Sequence, residues 1–385
     1  MNKALRKELA VICGFGAAAL WALKQKKAAA LLGTSAGILL ATESKSVNFY
    51  GQSVVITGGS RGLGLALAKR LVFEGAKVAL LARDEKELQR AVQMLKEFNS
   101  IDVLTIACDV TNDTELHNAL TAVVTTFGSI DLLINNAGAI MVSPFEFTTK
   151  KDFEAQMALH LYAPMSAIRW CLPHLLKSPV GRIVNICSMG GKVAVPHMLP
   201  YDTSKFALAG FSQGITAEFE QLGLPVTTVY PALMKTGSPI QAVFKGDHEK
   251  EFAWFAAADV FPGISLEADE AAKKIIAAAK EGQQELVLSG LAQLRMGTAT
   301  IFPELMAYLM ARINRWMPKG PDKGKSMTYK TGYEARRIFE EKEHWEPLRA
   351  EAAEAEAKYN QIPKTDGAYN LGLKNSTGPR TTPIA

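Results

Sequence analysis

The segment TGGSRGLG, Thr57–Gly64, constrains this chain more than any other stretch of it. It follows the apolar run SVVI and leads into GLGLALAKRLVFEG, whose apolar spacing predicts a helix ending at Gly75. A strand that passes through a glycine turn into a helix makes an anion site. The missing side chains let the backbone approach a pyrophosphate, and the helix N-terminus offers unpaired N–H groups and the positive end of its dipole. Gly58, Gly62 and Gly64 set the spacing TGxxxGxG, with Ser60, Arg61 and Leu63 between them as further candidate contacts.

The same alternation continues. KVALLAR, DVLTIACDV, IDLLINNAG, GRIVNICS, PVTTVYP and QELVLSG read as strands. DEKELQRAVQMLKEF, TELHNALTAVVTTFG and EADEAAKKIIAAAKEG read as helices between or beside them. Strands alternating with helices imply an α/β fold, a doubly wound parallel sheet covered on both faces, in one domain over residues 47–290. The second strand ends in Ala82 and Arg83, where an acid would bind a ribose 2′-hydroxyl. Arg61 and Arg83 flanking that ribose would pair with a 2′-phosphate, which favours NADP(H) over NAD(H). Arg83 capping its strand and pointing to water is the competing reading.

YDTSK places Tyr201 and Lys205 four residues apart, on one face of a helix. An ammonium beside a phenol stabilises the phenolate, so such a tyrosine can exchange a proton near neutral pH. Ser188 ends the fifth strand, where ligand crevices form in open α/β sheets.

Taken together, TGGSRGLG, CDV, NNAG, Ser188 and YDTSK, in this order and spacing, resemble the short-chain dehydrogenase/reductase family over roughly residues 48–290. The resemblance implies a Rossmann-like domain in which Asp109 and Val110 contact the adenine. It implies that Asn135, Asn136, Ala137 and Gly138 brace the sheet beside the cofactor. Tyr201 would be the general acid/base and Ser188 the hydrogen-bond partner of the substrate carbonyl. Lys205 would hold the nicotinamide ribose and tune Tyr201, and Thr236 in YPALMKT would lie near the carboxamide, followed by a substrate lid. Dimers or tetramers are common in the family. Two departures stand out: Pro231-Ala232 replaces the family's Pro-Gly pair, and His160 occupies the place of an asparagine that holds a water in a proton relay. Histidine can also donate and accept hydrogen bonds, so the relay could persist with altered pH dependence; equally, His160 could only fill a helix kink.

The expected activity is an NADPH-dependent reductase of a hydrophobic carbonyl or alcohol, lipid-, steroid- or retinoid-like, to judge from the aromatic residues at 244–261 and the apolar N-terminus. A non-catalytic NADP-binding sensor or scaffold at a membrane is the alternative. An epimerase or dehydratase of the longer-chain type would carry TGxxGxxG instead.

Outside residues 47–290, three segments remain. Residues 1–46 hold two apolar runs, Leu9–Leu23 and Ala28–Ala41, separated by Lys24–Lys27. They are read as a membrane-associating extension, a hairpin or anchor with the catalytic domain facing the cytoplasm, against a signal peptide or two short helices packed on the body of a cytoplasmic protein. Residues 291–317 read as an apolar helical extension, and 318–385 as a polar tail with a solvated helix and a disordered end. The net charge of +5 resides in the first 50 residues, which carry seven bases and two acids. The remainder is balanced, which argues against nucleic acid as a partner. The four cysteines and six histidines are scattered, giving neither a disulfide framework nor a metal site.

Overall fold

The computed structural model describes residues 3–22, 25–41, 46–98, 102–260, 265–320, 327–340 and 346–361. The chain opens with helices α1 (Lys3–Ala22) and α2 (Lys26–Ala41). It then alternates β1 (Ser53–Thr57), α3 (Gly62–Phe73), β2 (Lys77–Ala82), α4 (Glu85–Leu95), β3 (Val103–Ala107), α5 (Asp113–Phe127) and β4 (Leu132–Asn135). After the short β5 (Met141–Val142), helices α6 (Lys150–Met157) and α7 (Ala163–Leu175) run on through one π-helical turn, Ala158–Tyr162. Then come β6 (Arg182–Ile186), α8 (Leu199–Glu220) and β7 (Val226–Tyr230). The remaining pieces are β8 (Met234–Lys235), β9 (Val243–Phe244), α9 (His248–Val260), β10 (Leu266–Glu267), α10 (Ala268–Glu281), β11 (Glu285–Val287), α11 (Gly290–Ile301), α12 (Pro303–Asn314), β12 (Lys330–Thr331), α13 (Gly332–Glu340) and α14 (Glu346–Lys358).

The main sheet has seven parallel strands in the order β11-β7-β6-β4-β1-β2-β3. Every residue of β1, β4 and β7 is buried, as a sheet covered on both faces requires. On one face α3 and α10 pack Leu67, Leu71, Ile275 and Ile276 against Val54 and Ile56. On the other, α5 and α7 pack Leu120, Val123, Ile168 and Cys171 against Val55 and Leu133. The strand order reverses between β1 and β4, which opens a crevice beyond Thr57 and Asn135 at their C-terminal ends.

Two smaller sheets lie outside the main one. β5, β9 and β12 form a small sheet, and β8 pairs with β10. Beside the small sheet, Lys245 and Asp152 form a buried ion pair at 2.6 Å, and Tyr329 donates to the other Asp152 oxygen at 2.5 Å.

The N-terminal expectation is corrected here. No helix among the described residues is long and apolar enough to cross a membrane, and the membrane-associated location is withdrawn with it. The physical reason is length. α1 spends its first turns on Lys3, Arg6, Lys7 and Glu8, and the 16 residues of α2 reach only about 24 Å against a hydrocarbon core of about 30 Å. The two helices pack on each other instead, with Gly16 against Leu32. The tail is corrected too. Rather than a wholly solvated segment, residues 332–340 and 346–361 reach the body at Ala335 and Tyr359, both fully buried. The expected disordered end lies outside the described residues.

Candidate active site

The glycine turn is shaped by close approach. Gly58 has φ +66°, and a Cβ there would lie 2.8 Å from Ala137 Cα. A Cβ on Gly64 would run into the carbonyl oxygen of Gly58. Asn136 fixes the turn from the next strand, its side-chain amide donating to the carbonyls of Thr57 and Gly58 at 3.0 Å each. The Thr57 hydroxyl in return accepts the backbone N–H groups of Asn136 and Ala137 at 3.0 and 3.1 Å. The result presents the N-terminus of α3, with Gly62 and Leu63 at its start, to the crevice. A phosphate fits a cradle of this kind, since side chains would fill it.

Around the adenosine end, Val110 is buried, and Asp109 is folded into its own loop, its carboxylate accepting the Thr111 N–H at 2.9 Å and hydroxyl at 2.7 Å. Arg61 is not turned loose toward a 2′-phosphate: its guanidinium pairs with Glu87 at 2.8 Å. Ser60 donates to the other Glu87 oxygen at 3.1 Å. Glu87 is buried, and sequence reasoning passed over it. The available signal was its place three residues after Asp84, which caps α4 and accepts the Glu87 N–H at 2.9 Å. Arg83 is half-buried just beyond β2.

The proton-handling group assembles where β6 ends against α8. Ser188 accepts the Gly190 N–H at 3.0 Å and lies close enough to the Tyr201 phenol to favour its ionised form. Lys205, one turn along α8, is buried; its ammonium donates to the Ile186 carbonyl at 3.0 Å and lies 5.7 Å from the Tyr201 ring centre. Burial holds Lys205 down at about 8. Burial also pushes the Tyr201 phenol well above its ordinary range, with Ser188 opposing only in part. The expected lowering of Tyr201 by its lysine is therefore not what this arrangement produces.

His160 sits on the π-helical turn, buried, with its ring edge-on to Tyr201 at 5.4 Å. Its Nε2 accepts the Ala139 N–H at 3.2 Å, which leaves Nδ1 to carry the proton toward Ser204 Oγ at 2.8 Å. Ser204 donates onward to the Tyr201 carbonyl at 2.6 Å. Burial, then the charge of Lys205, hold the imidazole well below its usual pKa, so it is neutral. The extra residue of a π turn puts the ring here, and Gly138 makes room: a Cβ there would stand 3.1 Å from Nε2. Asn135 and Asn185 extend the bracing, linking β4 through β6 to Ser212 of α8 at 2.8 and 2.9 Å. Thr236 is buried after β8.

A doubly wound sheet with a glycine cradle and a Ser–Tyr–Lys group at the same strand ends defines a dinucleotide-dependent oxidoreductase architecture. The sequence model described as short chain dehydrogenase matches residues 52–243. An uncharacterized oxidoreductase of Thermotoga maritima is 31% identical over 185 residues, 48% of this chain and 72% of that protein. The gluconate 5-dehydrogenase of Gluconobacter oxydans is 32% identical over 186 residues, again 48% and 72%. A metagenomic short-chain oxidoreductase solved in complex with NADP superposes with a TM-score of 0.51 at 25% identity, covering 63% of this chain and 96% of that one. The chain belongs to the short-chain dehydrogenase/reductase family.

Proposed function

We propose that this chain transfers a hydride between NADP(H) and a carbonyl or alcohol carbon of an apolar substrate. The assembly of Ser188, Tyr201 and Lys205 beside the glycine cradle carries this reading. When bound, the nicotinamide supplies or removes the hydride. Gly58, Gly62 and Gly64 would admit the phosphates, and Thr236 would face the nicotinamide end. In reduction, Tyr201 gives its proton to the carbonyl oxygen, a role suited to a phenol kept protonated by burial. Ser188 donates a hydrogen bond to the same oxygen and stabilises its developing charge. Lys205 lends positive charge behind the phenol. His160 anchors the backbone of Tyr201 through Ser204 and so positions the acid rather than relaying a proton.

The choice of NADP(H) is supported by Arg83, half-buried just beyond β2 where an NAD site would hold an acid, and by the NADP bound to the metagenomic relative. An apolar substrate is supported by the cluster against Tyr201, formed by Val142, Met198, Phe244, Phe252 and Phe255. One observation favours a second reading, a dinucleotide-binding protein without turnover: His160, buried and held by Ala139 and Ser204, stands where the family's proton relay has an asparagine. NADPH oxidation against a panel of apolar ketones and aldehydes separates the two. Turnover is expected, with Tyr201→Phe reducing it at least about a hundredfold while NADPH still binds. A Tyr201→Phe protein with undiminished rate removes the proposed acid, and NADPH binding without any turnover favours the second reading.

A further inference from the structure

The end of the described chain is fastened to both walls of the dinucleotide crevice. α14 leads into Tyr359, Asn360 and Gln361, all buried. The Gly62 N–H, at the start of α3, donates to the Tyr359 carbonyl at 2.9 Å. The Asn360 side-chain amide donates to the carbonyls of Ser60 at 2.8 Å and Glu87 at 3.0 Å, and its oxygen accepts from Arg90 at 3.1 Å. Gln361 donates to the Thr236 carbonyl at 3.0 Å, and its amide nitrogen stands 3.3 Å from where a Gly62 Cβ would be. Glu356 packs on Gly237 and pairs with Arg336 at 2.6 Å. Asn360 reaches these partners with φ +57°, a left-handed conformation that asparagine tolerates better than most residues.

These contacts use groups that the glycine turn exists to offer. A backbone N–H has one hydrogen, and the Gly62 N–H already gives it to a carbonyl oxygen. A phosphate oxygen placed there would displace that carbonyl or be repelled by it, because two acceptors cannot share one donor at full strength. Gln361 closes the gap between the turn and Thr236, the two walls between which a pyrophosphate would lie.

We propose that the C-terminal segment Glu346–Gln361 is an internal competitor of the dinucleotide, a strap whose Tyr359 carbonyl takes the place of a phosphate oxygen and which must lift for the cofactor to bind. The proposal rests on the dinucleotide-binding reading above. The chain then exists in a strapped form and a binding-competent form, and the observed affinity is the intrinsic one reduced by the competent fraction.

Two measurements test it, with NADPH as the probe. In hydrogen–deuterium exchange on the full chain, amides of residues 346–361 should exchange at least about tenfold faster with NADPH bound. Slower exchange would make the segment a clamp over the cofactor and would overturn the competition. In fluorescence titration, the combined Asn360→Ala and Gln361→Ala variant should bind NADPH about threefold tighter than the parent, and a chain ending after residue 345 about tenfold tighter. Equal or weaker binding by both variants overturns the strap while leaving dinucleotide binding intact. Absence of NADPH binding by every form overturns the dinucleotide reading and the strap with it. The exchange measurement uses the unaltered chain, so a truncation that fails to fold does not decide the outcome.

Discussion

At Tyr201 two influences oppose each other. Its helix places Lys205 on the same face, which by itself favours the phenolate, but the burial that completes the site favours the phenol. The spacing was legible in YDTSK; the depth of burial was not, because it comes from elements remote in sequence such as α9 and β9. His160 shows the same limit. Its residue type suggested a titrating group, whereas its two hydrogen bonds and its burial make it a neutral anchor. A histidine whose folded pKa is depressed binds fewer protons than in the unfolded chain, so stability rises with pH across the interval below about 6.5 and is lost as pH falls through it, at up to about 1.4 kcal/mol per pH unit. His160→Asn removes that dependence. Urea midpoints should therefore show the variant less destabilised, relative to the parent, at pH 5.5 than at pH 7.5. A penalty that does not change with pH would mean that His160 does not carry this linkage.

Among the elements, the seven strands of the main sheet and the helices α3, α4, α5 and α10 were readable from apolar periodicity, because a sheet buried on both faces demands near-continuous β-branched and apolar runs, whereas α6 and α7 were not read. The two-residue strands β5, β8, β9, β10 and β12 were not, since nothing so short has a period. The π turn was also hidden, as it needs a tertiary partner for the extra residue. The glycine turn lies at the legible end, and its geometry gives a sharp expectation. Gly64→Ala would bring a Cβ against the Gly58 carbonyl and 2.7 Å from the Asn136 amide, neither able to move without undoing the link between β1 and β4. We expect a loss of roughly 1–3 kcal/mol in unfolding free energy by denaturant titration, together with loss of NADPH binding. A stable Gly64→Ala protein that binds NADPH normally would contradict the assigned role of the cradle.

On the scale of the whole molecule, the sequence divided the chain by composition, and composition misjudged both ends. The polar tail buries Tyr359 in the same apolar cluster as α3 and α10, and its ties are Asn360 and Gln361, polar residues whose partners lie between 125 and 300 positions away. The apolar N-terminus does the reverse. Val11, Ile12, Phe15 and Trp21 remain exposed, and among the described side chains of α1 and α2 only Ala10 and Ala29 are buried. An ion pair ties the hairpin to the body, Lys3 to Glu281 at 3.7 Å, and both partners are partly exposed, which makes it worth at most about 1 kcal/mol. No described residue of α1 or α2 belongs to the apolar clusters that hold the sheet, the cradle and the Ser188–Tyr201–Lys205 group. A chain starting at Ser46 should keep its NADPH affinity and its rate, and its thermal midpoint should move by no more than about 4 °C. A larger fall, or a changed affinity, would show that the hairpin supports the dinucleotide domain through contacts stronger than this ion pair.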